Sequence, residues 1–392
     1  MSVNIREAEQ AIGWCVEAGF TALLVSPPGF GKTDRLNSIV MRWKNSPKNT
    51  GKRLGLACAF MATQSPISAT GLPWKGERVW KDPFTEKEYT YTVTDPAIPM
   101  WFMARDLDTS EIRPASMFDH VFLVIEEWGQ GNADTKRAFA EVLRAGGTPP
   151  FYMPVGSPRV ALSNSDARDG VTKEFDFIIN RVLTLPVHGD VPIWIEDFAD
   201  KPYKWEGEEW SVSSYAKSYI QQNGKEGELF EPKPEVQGPW CSPRSYTNAD
   251  RIVQVATRQN GGKVPVDSSL LVNVLSGIMG TNVTTNYMAA LQFMVKLPSI
   301  DKVAADPMGT DVPKQADLQM TMAYELAYRV RPDILPPVLQ YMNRLNDGMD
   351  NIFIASLMRK DWKQFSAEPV MKAWVAQNAA RLSVLSSIAT GM

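Results

Sequence analysis

The sequence predicts an α/β chain, with a parallel, helix-covered sheet in its first half and helices alone in its second. Three observations carry this expectation. Short apolar runs alternate with stretches of helical periodicity up to about residue 187. That alternation builds a parallel sheet with helices on both faces. A Pro/Gly-rich loop joins the first apolar run to a helical one at Ser26–Thr33. Beyond Ser242 the periodicity is helical to the end, punctuated by Gly261-Gly262, Pro298, Pro307, Pro332 and Pro336-Pro337.

The elements follow in order. Ile5, Ala8, Ile12, Cys15 and Val16 recur at helical spacing, and Gly19 ends that helix. Thr21 to Val25 is a short apolar run of the kind that forms a buried parallel strand. A helical pattern runs from Lys32 to about Lys44, and Leu54 to Met61 reads as a second strand. From about Gln64 to Asp119 the chain reads as irregular, rich in Pro, Trp, Thr and charge, which suggests functional loops or an insertion. His120 to Ile125 is a third strand and ends in two acids. A helix from about Ala133 to Arg144 is stopped by Gly146-Gly147. Arg159 to Ser163 is a fourth strand, Phe175 to Asn180 is helical, and Val182 to Pro186 is a fifth strand. From Val187 to Gly238, Trp, Glu, Lys and Pro dominate, and the segment reads as connecting structure.

Bulk properties narrow the function classes. There are 41 basic and 44 acidic residues, for a net charge of -3, with no basic tail or dense Lys/Arg run. This disfavours binding nucleic acid by phosphate neutralisation. The three cysteines (Cys15, Cys58 and Cys241) are far apart and match no metal-ligand or redox spacing. They are expected as buried or free thiols in a reducing compartment. The first residues, MSVNIREAEQ, lack the long apolar stretch of a secretory signal, and no run of 18 apolar residues suggests a membrane span. A cytoplasmic location is the expectation. His120 and His188 share no motif and are assigned no chemistry.

The strongest motif is Ser26-Pro-Pro-Gly-Phe-Gly-Lys-Thr33. It fits the phosphate-loop pattern G-x-x-x-x-G-K-[ST] except at its first position, where Ser26 stands for Gly. Gly29 and Gly31 let the backbone turn its N–H groups toward phosphate oxygens. The following helix N-terminus adds a dipole that favours anions. Lys32 is expected to reach the β- and γ-phosphates, and the Thr33 hydroxyl to ligate Mg²⁺. Pro28, Phe30 and Asp34 complete the stretch expected to contact nucleotide. The alternative is a Gly/Pro turn capping an ordinary helix.

A phosphate loop needs a second strand that delivers an acid to the metal. Val121 to Ile125 followed by Glu126 and Glu127 supplies one. Glu126 would hold Mg²⁺ and Glu127 would polarise the attacking water. Glu126 stands where most such proteins have Asp. The alternative is a pair of solvated acids at a strand end. The next strand ends in Asn164, whose amide could orient the lytic water.

These residues together resemble AAA+ ATPases of the MoxR branch. The resemblance rests on Ser-Pro-Pro-Gly-Phe-Gly-Lys-Thr, Ile-Glu-Glu, Ser-Asn-Ser and Ile-Asn-Arg, with Gln64–Pro73, Pro99-Met-Trp-Phe and Trp240–Tyr246 as less generic support. It implies an AAA+ P-loop core of five parallel strands with helices on both faces, followed by an all-α lid and C-terminal helices. The implied division is a nucleotide-binding α/β domain over 1–187, a connecting segment over 188–238, a lid over 239–300 and a C-terminal helical region over 301–392. Asn164 matches the sensor-1 residue, Arg181 the arginine finger that reaches a neighbouring subunit's γ-phosphate, and Arg244 the lid's sensor 2. Phe151-Tyr-Met-Pro154 sits where the family places a hairpin. Arg181 could instead pair with an acid such as Asp176, and Arg244 could cap its own helix. Arg168 and Arg251 compete for the two arginine roles.

The resemblance further implies ATP and Mg²⁺ as cofactors and a homo-oligomeric ring, expected to be a hexamer. A von Willebrand A domain partner and a protein client complete the expectation. Two other readings stand beside it. One is an AAA+ nucleic-acid motor or loader, for which Trp74–Lys81 is the nearest aromatic-basic candidate, though a solvated loop fits that stretch as well. The other is a scaffold that binds ATP and barely hydrolyses it, motivated by Glu126. A small-molecule kinase is weaker, having no need of both arginines.

Overall fold

The computed structural model describes residues 2–165, 170–172, 175–224 and 238–378, and Arg168 lies outside these. The chain divides into two compact units, Met1–His188 and Gly189–Met392.

The first unit runs α1 (Ile5–Ala18), β1 (Ala22–Ser26), α2 (Lys32–Lys44), β2 (Leu54–Phe60), α3 (Pro66–Thr70), β3 (Pro73–Lys81) and β4 (Glu88–Pro96). It continues with β5 (Met103–Asp106), β6 (Ile112–Pro114), β7 (His120–Glu126), α4 (Ala133–Ala145), β8 (Gly147–Thr148), β9 (Phe151–Tyr152), β10 (Arg159–Asn164), α5 (Asp176–Ile179) and β11 (Leu183–Pro186). Both principal helix boundaries follow local chemistry. Asn4 and Glu7 close a capping box at the start of α1, and Gly19 ends it at φ +72°. Gly146, at φ +79°, ends α4 in the same way.

The central sheet has seven strands in the order β11-β1-β10-β7-β2-β5-β6. The first five are mutually parallel, as expected. The last two extend the sheet antiparallel. Alternate residues of the inner parallel strands feed two different cores. Val121, Leu123 and Ile125 of β7 pack with Phe139, Val142 and Leu143 of α4. Phe122 and Val124 pack on the other face with Ile12 of α1 and Leu36, Ile39 and Val40 of α2. Burial on both faces explains why these strands read as unbroken apolar runs.

The segment 64–119, read as irregular, is mostly ordered antiparallel structure. β3 and β4 form a nine-residue-per-strand hairpin from Pro73↔Pro96 to Lys81↔Glu88. Strand alternation sets Trp74, Arg78, Trp80, Tyr89 and Tyr91 on one face and Lys75, Glu77, Lys81, Thr90 and Thr92 on the other. No core covers the hairpin, so its sequence carries no apolar run, and Trp74 is 68% exposed. β8 and β9 form the short hairpin expected near Phe151.

The second unit contains α6 (Val191–Trp194), the hairpin β12 (Tyr203–Trp205) and β13 (Glu208–Trp210), α7 (Ser214–Asn223), α8 (Pro243–Gln259), α9 (Ser269–Met279) and α10 (Thr281–Met294). Then come α11 (Ile300–Ala305), α12 (Ala316–Arg329), α13 (Leu335–Met342), α14 (Met349–Ala367) and α15 (Pro369–Gln377). One core gathers Val303, Leu326, Val338, Phe353 and Trp374 from its last five helices. A second packing centre is aromatic: the Tyr246 ring meets Trp194 at 5.9 Å and Tyr287 at 5.8 Å. Among the described residues no helix is long and apolar enough to cross a membrane.

Asp250 is buried in this unit at 1% exposure. It accepts from the Ser213 backbone N–H at 2.9 Å, from the Ser213 hydroxyl and from Gln254 Nε2 at 2.8 Å. Burial pushes its carboxyl above the usual aspartate range, and the Ser213 and Gln254 hydrogen bonds and the Lys217 charge only partly oppose this. The folded chain therefore keeps this proton to higher pH than the unfolded chain. The group's contribution to stability is full at acid pH and is lost as pH rises from the ordinary value of 3.8 through the raised one. We predict that Asp250→Asn, which cannot ionise and keeps an acceptor, gains stability relative to wild type as pH rises across that window. Chemical denaturation at a series of pH values checks this, and a pH-independent difference contradicts it.

Candidate nucleotide site

Three parallel strands bring their carboxyl ends together at one edge of the sheet. β1 lies between β10 and β11, while its sequence successor β2 lies three places away, beyond β10 and β7. The loop leaving β1 therefore opens into the crevice where an open α/β sheet binds ligands. Ser26 stands directly opposite Asn164 on β10, and Glu126 ends β7 one strand further on, opposite Phe60 of β2.

The loop has the shape its glycines imply. Gly29 and Gly31 adopt φ +84° and +74°, the left-handed region that glycine enters at little cost. Gly31 is also the N-cap of α2, and no side chain caps that end. The first amides of α2 thus lack helical acceptors, and the helix dipole favours an anion there. Pro28 and Phe30 form the half-buried rim of the turn, and Asp34 is exposed in the first helical turn.

Lys32 draws the crevice together. Its Nζ donates to the Ser26 carbonyl at 3.0 Å, the Ser26 Oγ at 2.9 Å, the Pro27 carbonyl at 3.2 Å and Asn164 Oδ1 at 3.2 Å. Ser26, read from the sequence only as a departure from glycine, is a buried acceptor for that ammonium. Thr33 Oγ1 donates to Glu126 Oε1 at 3.2 Å across a separation of 93 residues. Burial pushes the Glu126 carboxyl above its ordinary range. The Thr33 hydroxyl pulls it back, the Glu127 charge adds to the rise, and Lys32 opposes it.

Glu127 follows the strand at φ +54°, ψ +37° and is exposed. Left-handed backbone in a non-glycine residue costs about 1–2 kcal/mol and here turns the chain sharply off the strand end. The donor chemistry fits nucleotide and Mg²⁺. Hydroxyl and carboxylate oxygens are hard ligands, and Mg²⁺ takes only one or two protein ligands beside phosphate and water. Among the described residues no cluster of three or more His, Cys, Asp or Glu could hold a metal ion alone.

The two arginines lie elsewhere. Arg181 comes two residues before β11, whose Leu183 is level with Ala22 at the start of β1. It therefore sits at the amino-terminal edge of the sheet, about 15 Å along the strands from its own phosphate loop. There its charge acts on Glu141, whose carboxyl is held below the usual range chiefly by Arg144, with Arg181 adding to the effect. Arg244 is exposed at the second position of α8, behind a capping box of Ser242 and Ser245. Its competitor Arg251 has structural partners: its guanidinium lies 4.0 Å from the Trp205 ring centroid and donates to Asn248.

The sequence reading missed several supports of this edge. Glu9, buried on α1, pairs with Arg35 at 3.0 Å and with Arg42, tying α1 to the phosphate-loop helix. Lys136 is fully buried and donates to the Thr172 carbonyl at 3.0 Å. A signal for Lys136 exists in the sequence, since it falls on the apolar stripe of α4 with Phe139 and Leu143.

No known family model matches the chain, and no curated protein matches it. Solved structures resemble it in fold. A DNA replication initiation factor matches at TM-score 0.34 and 9% identity, covering 98% of this chain and 95% of that one. A proposed ATPase from Cytophaga hutchinsonii matches at TM-score 0.29 and 10% identity, covering 73% and 88%. NtrX from Brucella abortus matches at TM-score 0.29 and 13% identity, covering 74% and 68%. At these identities and TM-scores they assign no activity to the chain.

The loop geometry makes a simple prediction. A Cβ at Gly31 would meet no atom within 4 Å, so only its φ of +74° opposes a side chain. Gly31→Ala should cost about 1–2 kcal/mol of stability through backbone strain alone. Denaturant unfolding measures this, and an unchanged midpoint contradicts the left-handed turn.

Proposed function

We propose that the chain is an ATPase of the AAA+ type, working as a homo-oligomeric ring in which each active site is shared between neighbours. One observation carries the reading. Lys32, Ser26 and Asn164 form one hydrogen-bonded group, with Thr33 and Glu126 joined beside it, although Asn164 lies 132 residues from Lys32. A Gly/Pro turn capping an ordinary helix has no need of that convergence.

The roles follow from position. The amides of Gly29 to Thr33 cradle phosphates, and Lys32 exchanges its loop acceptors for phosphate oxygens. Thr33 and Glu126 hold Mg²⁺. Bound ATP and Mg²⁺ supply the phosphoryl group and the charge that steadies its transfer. Glu127 takes a proton from the attacking water, and Asn164 orients that water. Arg181, too far from its own loop, serves the site of an adjacent subunit. Its charge there steadies the transferring phosphoryl group. Arg244 takes the sensor-2 role, with residues 239–300 acting as a lid and 301–392 as a C-terminal region.

The finer assignment is the MoxR branch, with a hexameric ring and a protein client. A von Willebrand A domain partner and a cytoplasmic location belong to the same reading. The charge on the exposed hairpin supports a protein client over a nucleic acid. Arg78, the single cation on its aromatic face, is paired with Asp95 at 2.9 Å. A nucleic-acid platform needs unpaired cations among its aromatics.

Arg181→Ala should reduce turnover by about 10³-fold or more while leaving ATP affinity unchanged. Mixing it with Lys32→Ala, itself inactive, should restore part of the activity. In such mixed rings an intact loop faces an intact arginine. Loss of ATP affinity in Arg181→Ala, or a mixture with no regained activity, contradicts the shared site.

A further inference from the structure

The turn that carries Glu127 is held from behind by Thr172. The Thr172 backbone N–H donates to the Gly129 carbonyl at 2.8 Å. Its hydroxyl donates to the Gly131 carbonyl at 2.8 Å and lies 3.4 Å from the Gly129 carbonyl. Its own carbonyl accepts from the buried Lys136 ammonium at 3.0 Å, and that ammonium lies 5.9 Å from the centroid of the buried Trp128 ring. The packing is equally tight on the side of β10. A Cβ on Gly129 would come within 2.4 Å of Ser163 Oγ and 2.9 Å of a Val171 methyl, so only glycine lets the turn lie this close. Ser163 is the immediate neighbour of Asn164.

We propose that Thr172 is a positioning residue for hydrolysis. It fixes the Glu127 turn against the strand that carries Asn164, with Lys136 anchoring it from α4. The inference rests on the proposed roles of Glu127 and Asn164. The left-handed backbone at Glu127 is strained and persists only where its surroundings over-determine it. Trp128 and Gly129 follow directly and are fixed by burial and by Thr172. The direction of the Glu127 carboxylate therefore depends on contacts made two and four residues later in the turn. Removing the Thr172 hydroxyl leaves the Gly131 carbonyl without that donor and loosens the turn, while the phosphate loop, on another strand, keeps its geometry. A misplacement of about 1 Å in a catalytic group costs up to about 100-fold in rate.

The test measures steady-state ATP turnover and ATP affinity of the full chain carrying Thr172→Val, Thr172→Ala or Thr172→Ser. Valine and alanine should lower kcat by about 10- to 100-fold with ATP affinity and KM unchanged. Serine, which restores the hydroxyl, should recover most of the rate. In a Glu127→Gln background the same substitutions should cause no further loss, because the residue acts through Glu127. If valine does not fold, alanine carries the comparison. Wild-type kcat in a folded alanine or valine variant overturns the proposal. So does loss of ATP affinity in step with kcat, or an equal fractional loss in the Glu127→Gln background. Full turnover in Glu127→Gln alone would instead contradict the role given to Glu127, whatever Thr172 does.

Discussion

The parallel pairing of β1 with β10, in the register that sets Ser26 opposite Asn164, is the constraint from which the site follows. Shifting that pairing by one residue would turn every β10 side chain to the other face. The two cores prevent this: Ala161 belongs to the α4 side, and Val160 and Leu162 to the side of α1 and α2. Once the register is fixed, the Ser26–Thr33 loop, Asn164 and the acidic end of β7 share one edge. Lys32 can then bridge the loop and Asn164, and Thr33 can reach Glu126. The geometry of the proposed site is thus a by-product of how apolar residues are divided between two faces.

That division also decides what could be read in advance. The parallel strands were legible because the inner ones bury short apolar runs on both faces, although edge strand β11 buries only Leu185 of its four residues. The β3–β4 hairpin was not, because neither face contributes to a core and its residues carry aromatics and charge without an apolar run. β5 and β6 were missed for a related reason: they pair antiparallel at the sheet edge, and β6 is only three residues long. In the second unit, α6, α7 and the β12–β13 hairpin lie within a stretch whose Trp, Glu and Lys content read as connecting structure. Their order comes from aromatic packing around Tyr246 and from buried acids such as Asp250, and neither produces a simple period.

The site was partly legible for a different reason. Gly29, Gly31, Lys32 and Thr33 follow the spacing that phosphate binding requires, and that spacing is local and visible. Asn164 and the acidic pair could be placed because each ends a recognisable strand. Ser26 was visible only as an exception, since its value as an acceptor for Lys32 depends on how the ammonium folds back over the loop. Thr172 could not have been found from the sequence. The role proposed for it rests on carbonyl contacts that exist only after α4, the Glu127 turn and residues 170–172 are packed together. Arg181 is intermediate: its motif suggested a role in a neighbouring subunit, while its place two residues before β11, level with the start of β1, comes from the sheet pairing.

The most direct test of a shared-site ATPase is the rate of ATP hydrolysis per subunit as a function of protein concentration, for wild type and for Lys32→Ala. A rate that climbs with concentration and then levels, and that is absent in the alanine variant, is the predicted result. A wild-type rate per subunit that is constant down to concentrations where the chain sediments as a monomer would contradict the shared site. A Lys32→Ala rate equal to wild type would contradict hydrolysis at this loop altogether.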